Sequence, residues 1–427
     1  MNNSLNQIIK DQKQRLEKNL SFKYVPRTIF TKAKRLADSD LIKVIIGPRR
    51  AGKSILSMLL LDGSDFAYLN FDESPLLEEL KKTNTLELLK ELFAVYGNTK
   101  LLLFDEIQNL DMWELFANKL HREGYNVFLT GSNAKLLSQE LATHLTGRHF
   151  KIEVFPFDFK EYLAGKNFDK NIKGLSTNQK GELLNHLEKY LVNGGYPETV
   201  VKDLDNKTYL SDLFDSTIFK DVVKRYKIRF PQKIDAVGSI IINNVGNELS
   251  YRKLIKPLNV KSPMTAEKYV KLLEESYIIF LLEKYSNKTK ERFGNIKKSY
   301  VVDNGFIHAK AVQFSSNKGK LMENLVFVEL MKRGYRPNFD LFYYKTKNNK
   351  EIDFMVREGI KVNSLIQVAY DTGVFNTDNR EVNALVEASE EVNCDNLLLI
   401  TWDEEKTETV KGKEIKYIPL WKWLLSL

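Results

Sequence analysis

Short apolar runs and longer stretches with apolar residues three or four apart alternate through the first 160 residues. The runs Ile42–Ile46, Leu101–Phe104 and Val127–Thr130 show almost no polar alternation, which predicts strands buried on both faces, as in a parallel sheet. FAYLNFDE, Phe66 to Glu73, predicts a further strand, and Phe150–Phe155 a last one. Between them Ile55–Leu61, Leu76–Tyr96 and Trp113–Glu123 carry helical spacing. Ahead of the first strand, Leu5, Ile9, Leu16 and Leu20 fall near one helical face, and a second segment follows Pro26 through Ala33. The alternation predicts an α/β fold.

Beyond residue 160 the pattern changes. Gly165–Gly181 is polar and predicts a loop leaving the core, with a helical lid after it. Ile234–Asn244, Tyr251–Pro257 behind Ser250 as N-cap, and Thr265–Ser276 predict three helices, followed by the strand-like YIIFLLEKY. Helix, helix, helix, strand is a winged-helix pattern. Tyr300–Asp303, Lys345–Val356 and Leu365–Tyr370 predict strands around a helix at Gly319–Tyr335. The closing IPLWKWLLSL is too short to span a bilayer and predicts a packed helix.

The chemistry starts at GPRRAGKS, Gly47–Ser54, between the first strand and a helix. Glycines let such a loop curl so that its N–H groups face a phosphate chain. A lysine then reaches the β- and γ-phosphates, and a serine hydroxyl faces Mg²⁺. Gly47, Pro48, Arg49, Arg50, Ala51, Gly52, Lys53, Ser54 and Ile55 are the expected ATP-binding residues. LLLFDE then delivers Asp105 and Glu106 at the carboxyl end of a strand, where open α/β sheets bind ligands. In that Walker B reading Asp105 holds Mg²⁺ with Ser54, and Glu106 orients and deprotonates the attacking water. A helix N-cap or solvated turn is the plainer reading of the same pair. Ser132 and Asn133 end the strand of NVFLTGSN and either sense the γ-phosphate or cap a helix. Arg148, before the last core strand, is either an arginine finger for a neighbouring subunit's nucleotide or a surface arginine.

GPRRAGKS, LNFDE, LLLFDEIQN and LTGSNAKLLS with LTGRHFKIEVFPFDFKEYL together resemble the archaeal-type ATPase family within the AAA+ and STAND-related P-loop ATPases. The likeness covers essentially the whole chain. It implies a core with a five-stranded parallel sheet and carries catalytic roles onto Lys53, Ser54, Asp105, Glu106, Asn133 and Arg148. KYLVNGGYPETV is similar to the family's glycine–proline segment, in which Gly194, Gly195 and Pro197 bring a lid helix against the nucleotide; taken alone it is an ordinary helix break. The last domain resembles a PD-(D/E)xK nuclease fold. In active members a helix Glu, a strand Asp and an acid-x-Lys strand gather around Mg²⁺. Glu323 and Asp353 match the first two positions, whereas Gln367 replaces the acid and Ala369 the lysine, which implies a degenerate site. The expected domains are an ATPase core over 1–160, a helical lid over 161–229, a winged helix over 230–298 and a nuclease-like domain over 299–427.

Charge adds one thing. Lysine and arginine exceed aspartate and glutamate by 65 to 56, and between residues 251 and 300 the count is twelve against five, so 12 − 5 = +7 of the net +9 lies there. That concentration makes residues 250–298 the expected DNA-contacting surface, with Lys268 and Lys271 on the recognition helix and a wing near Lys284–Lys298. Glu267, Glu274 and Glu275 on the same helix oppose tight phosphate contact, and protein packing is the alternative role. The single Cys394 and the lack of zinc-like spacing fit a reducing cytoplasm, and no signal peptide or spanning segment is expected. Three functions stay open: an Mg²⁺-dependent ATPase, homo-oligomeric if Arg148 acts in trans, with DNA as its load; a nucleotide-controlled protein switch or scaffold; and a DNA-cutting enzyme.

Overall fold

Strand β1 (Ile42–Ile46) is buried along its whole length, and the first unit of the chain is built around it. A computed structural model describes residues 4–132, 147–168, 174–202, 204–286, 296–311, 317–370 and 377–426. It divides into two units, Met1–Pro156 and Phe157–Leu427.

In the first unit, β1 is joined by β2 (Ala67–Asn70), β3 (Leu101–Asp105), β4 (Asn126–Gly131) and β5 (His149–Glu153). The order is β2-β3-β4-β1-β5 and every pairing is parallel, the five-stranded parallel sheet implied by the sequence. Leu102, Leu103 and Phe104 of β3 are fully buried, each contributing roughly 1.5–3 kcal/mol. One polar residue interrupts β1. Lys43 is buried, and its ammonium donates to Asn126 Oδ1 at 2.6 Å and to the Ser39 carbonyl. Burial pulls its pKa down to about 8.

Among the described residues the helices of this unit are α1 (Leu5–Leu20), α2 (Phe30–Ala37), α3 (Lys53–Leu60), α4 (Ser74–Leu80), α5 (Thr85–Tyr96) and α6 (Trp113–Arg122). The single helix expected over Leu76–Tyr96 is two. Asn84 breaks it, its side chain accepting from the N–H groups of Leu86 and Glu87 as the N-cap of α5.

The second unit opens with α7 (Phe159–Gly165), α8 (Thr177–Asn193), α9 (Pro197–Val201) and α10 (Asn206–Thr217), the last continuing into a π-helical turn over Ile218–Lys224. Part of the loop expected up to Gly181 is helical: Ser176 and Gln179 form a reciprocal capping box that starts α8. Helices α11 (Pro231–Asn243), α12 (Tyr251–Leu258) and α13 (Pro263–Glu275) follow, with β6 (Glu248–Leu249), β7 (Ile279–Leu282) and β8 (Lys297–Val301) in an antiparallel sheet of order β6-β8-β7. The expected boundary at 298 falls inside β8, which completes this small sheet.

After α14 (Asn304–Lys310) and α15 (Lys318–Lys332) comes a six-stranded sheet. Its strands are β9 (Leu341–Lys345), β10 (Glu351–Glu358), β11 (Lys361–Ala369), β12 (Leu397–Thr401), β13 (Lys406–Val410) and β14 (Lys413–Pro419), in the order β13-β14-β12-β11-β10-β9. Helix α16 (Thr377–Val392) links β11 to the parallel β12. The strand expected over Lys345–Val356 is the end of β9, a turn and most of β10. Helix α17 (Leu420–Leu425) closes the described chain with Leu420, Trp421, Trp423 and Leu424 buried. Among the described residues no helix is long and apolar enough to cross a membrane.

A buried carboxylate organises the entry to α14. Asp303 accepts from the N–H of Gly305 and from the N–H of Gly195, each at 2.8 Å, and burial lifts its pKa to about 6. Gly194, next to that contact, has φ +73° and ψ −165°, a backbone region nearly confined to glycine, and a Cβ there would lie 1.6 Å from Asp303 Oδ1. Gly194→Ala is therefore expected to destabilise the second unit by about 2–4 kcal/mol, measured by urea unfolding. A change of a few tenths would contradict this packing.

Candidate functional site

The chain leaves β1 at Ile46 and turns over Gly47–Gly52 into α3. Gly47 has φ +147°, and a Cβ on it would lie 2.0 Å from the Val154 carbonyl oxygen, so only glycine lets this turn pass the end of β5. Arg50 at φ +61° and Gly52 at φ +95° supply the left-handed residues of the curl. Arg27 braces the loop from another segment: Nη1 donates to the Ala51 carbonyl at 2.8 Å and Nη2 to the Phe155 carbonyl at 2.7 Å.

The loop, β3 and β4 bring four of the expected residues together. Ser54 Oγ donates to Asp105 Oδ1 at 2.9 Å. The Lys53 ammonium, almost fully buried, donates to the Pro48 carbonyl at 3.0 Å and lies 3.7 Å from Glu106 Oε1. Arg49 stands 3.8 Å from Asp72, and Ile55 packs half-buried against the core beneath α3.

Three residues that are not among the expected site residues complete the acidic end. Thr130 of β4 donates to Asp105 Oδ1 and its hydroxyl accepts from the Glu106 N–H at 3.0 Å. Tyr68 of β2 donates to Asp105 Oδ2 at 3.2 Å. Gln108 donates to Glu106 Oε2. Glu106 has a left-handed backbone, φ +51° and ψ 44°, costly for a residue with a side chain and held here by the surrounding bonds.

Electrostatics separate the two acids. Burial raises the pKa of Asp105, Glu106 adds to the rise, and the Thr130 and Ser54 hydroxyls only partly offset it. Burial would raise Glu106 too, but Lys53 and then Arg49 outweigh it and hold Glu106 below its ordinary range. Ser132 contributes to the same lowering. One carboxylate thus favours gaining a cation, and its neighbour stays ionised.

The remaining expected residues lie elsewhere. Asn133 is outside the described residues. Arg148 sits just before β5, at the amino edge of the sheet, where its Nη1 donates to Asn118 Oδ1 at 2.9 Å. The loop is at the carboxyl edge, about 15 Å away at ~3.3 Å per strand residue. In the second unit Glu323 on α15 and Asp353 on β10 converge, while Gln367 on β11 accepts from the Asp353 N–H at 3.1 Å. Ala369 ends β11, buried and without polar chemistry.

A parallel sheet with a glycine loop, lysine and serine after one strand and paired carboxylates after another defines a P-loop ATPase core of the AAA type, and residues 39–163 match the AAA domain family. Residues 184–317 and 318–423 match two domains of unknown function, DUF8612 and DUF4143. The chain belongs to the family of the uncharacterized protein MJ1544 of Methanocaldococcus jannaschii, to which it is 40% identical over 401 residues, 90% of this chain and 88% of that one. An uncharacterized protein of Haemophilus influenzae is 30% identical over 405 residues, 90% of this chain and 94% of its own. Among solved structures, the Walker-type ATPase paby2304 of Pyrococcus abyssi is similar over 68% of this chain and 99% of its own, at 17% identity and a TM-score of 0.44.

Arg27 makes two charge-assisted bonds, one to a carbonyl within the loop and one to a carbonyl just after β5. Arg27→Ala should cost roughly 2–4 kcal/mol, read as a lower urea midpoint, and Arg27→Lys should recover less than half of that because a lysine cannot reach both carbonyls in one plane. Unchanged unfolding in both variants would contradict the bracing role.

Proposed function

We propose that the chain is an Mg²⁺-dependent ATPase that couples turnover to movement of its second unit, with DNA as the load. The observation that carries the proposal is the meeting of Ser54 with Asp105 at 2.9 Å and of Lys53 with Glu106 at 3.7 Å beside a loop that only glycine can form at Gly47. These residues fit the nucleotide and its metal. The loop leads into the N-terminus of α3, where unpaired helix N–H groups suit a phosphate, and Lys53 is a buried cation able to exchange a carbonyl for phosphate oxygens. Ser54 and Asp105 present two hard oxygens at one point.

Bound Mg²⁺ supplies neutralisation of the charge on the transferring phosphoryl group. Lys53 binds the β- and γ-phosphate oxygens and, in moving to them, releases Glu106. Glu106, kept ionised by its cationic neighbours, orients a water molecule and accepts its proton at a carboxylate oxygen. Thr130 holds both acids in register, one through its hydroxyl hydrogen and one through its oxygen. Arg148 is at the far edge of the sheet from this site, so as an arginine finger it serves the nucleotide of a neighbouring copy.

DNA as load rests on the surface of α12 and α13. Their order with β6, β7 and β8 supports the winged-helix reading. Arg252, Lys253, Lys256, Lys261 and Lys268 are exposed there and form no ion pair among the described residues, whereas Lys271 pairs with Glu267 at 3.1 Å. Residues 287–295 of the expected wing lie outside the described residues; of its described end, Lys297 pairs with Glu283 at 3.0 Å and Lys298 is buried. Among the described residues the proposed contact surface rests on 252–268.

Glu106→Gln should bind ATP while its turnover falls at least ~100-fold, and Lys53→Ala should lose binding as well. Turnover surviving both changes would remove the ATPase. Duplex DNA should raise the wild-type rate, and Arg252→Glu with Lys256→Glu should flatten the salt dependence of DNA binding by about two units of slope. Absence of both stimulation and salt-sensitive binding would remove DNA as the load.

A further inference from the structure

Lys298 points inward from β8 with its side chain 1% exposed. Its Nζ donates to Glu323 Oε1 at 2.8 Å and to Asp353 Oδ1 at 3.2 Å and forms an ion pair with Glu351 Oε1 at 2.7 Å, so three carboxylate oxygens surround one ammonium. The acids are in turn held by others. Glu323 Oε1 accepts from Tyr300 at 2.8 Å, and Glu323 Oε2 accepts from Lys320 at 2.7 Å. Asp353 Oδ2 accepts from the Val368 N–H at 3.1 Å. Gln367 is turned out of this set, its oxygen on the Asp353 N–H and its nitrogen on Glu381.

Carboxylate oxygens are the ligands a hard divalent cation takes, and here they are gathered on an ammonium instead. The Mg²⁺ that a nuclease resemblance implies at Glu323 and Asp353 does not fit, because the point is taken. Among the described residues no group of three His, Cys, Asp or Glu side chains is disposed to hold a metal ion. Burial, and then Glu323, push the Asp353 carboxyl up to about 7 even with Lys298 in place. Removing one partner of such a buried set leaves charges that cost several kcal/mol.

We propose that Lys298 is the resident cation of this site: an ammonium tethered to β8 fills the position of a divalent metal, silences metal-dependent cutting by the last domain and ties its sheet to the β6-β8-β7 sheet. Strand β8 brings the cation; α15 and β10 bring the acids. The site becomes a fixed joint in place of a catalytic one.

The test uses the full chain, with Lys298→Ala and Mn²⁺ as probe. Millimolar Mn²⁺ should leave the wild-type Tm where it is. The variant should melt lower than wild type, and Mn²⁺ should raise its Tm by about 3 °C or more. Adding Glu323→Gln should abolish that rise. A Lys298→Ala protein indifferent to Mn²⁺, or a wild type that responds as strongly, overturns the proposal. Should Lys298→Ala not fold, the charge-balanced pair Lys298→Met with Asp353→Asn decides: folded protein supports the counter-ion role, and failure to fold overturns it.

Discussion

Burying Asp105 at the carboxyl end of β3 is the constraint on which the nucleotide-binding core depends. A carboxylate removed from water needs partners, and this one takes hydroxyls from Ser54, Tyr68 and Thr130, on α3, β2 and β4. The strand order β2-β3-β4-β1 sets β3 between β2 and β4, and β1 beside β4 sends its loop over the same edge. Thr130 then fixes the backbone of Glu106, and Glu106 in turn faces Lys53. Loop and both acids are thus one set of hydrogen bonds and an ion pair, in which burial and Glu106 raise Asp105 while Lys53 and Arg49 hold Glu106 low.

The second unit answers a similar problem with full charges. Lys298, Glu323, Glu351 and Asp353 bring one ammonium to three carboxylates, and Asp303 satisfies itself with the backbone of Gly195 and Gly305. Both sets join segments far apart in sequence. Asp303 also fixes where glycine is needed, at Gly194.

Much of the first site was legible in the chain because its parts are contiguous. Gly47–Ser54 and Asp105–Glu106 each declare their chemistry within eight residues or fewer, and the apolar runs beside them declare the strands. Arg27, Tyr68 and Thr130 were not legible, since an arginine in a basic segment, a tyrosine in a strand and a threonine at a strand end have no local pattern that points to their partners. Lys298 was misleading in a more instructive way. Counted with its neighbours it belongs to a basic run facing DNA, yet strand alternation turns it inward while Lys297 faces Glu283. Charge totals cannot distinguish a solvated lysine from a buried counter-ion. The capping box at Ser176 and Gln179 marks the start of α8 inside a stretch whose polarity otherwise reads as loop.

Calorimetric titration of ATP into the full chain, with Mg²⁺ and with EDTA, is the most direct test of the site as read here. Wild type should bind at least ~10-fold more tightly with Mg²⁺, and Asp105→Asn should bind with one affinity under both conditions. Equal affinity with and without Mg²⁺ in the wild type, or an Mg²⁺ effect that survives in Asp105→Asn, would contradict the division of labour between Asp105 and Glu106.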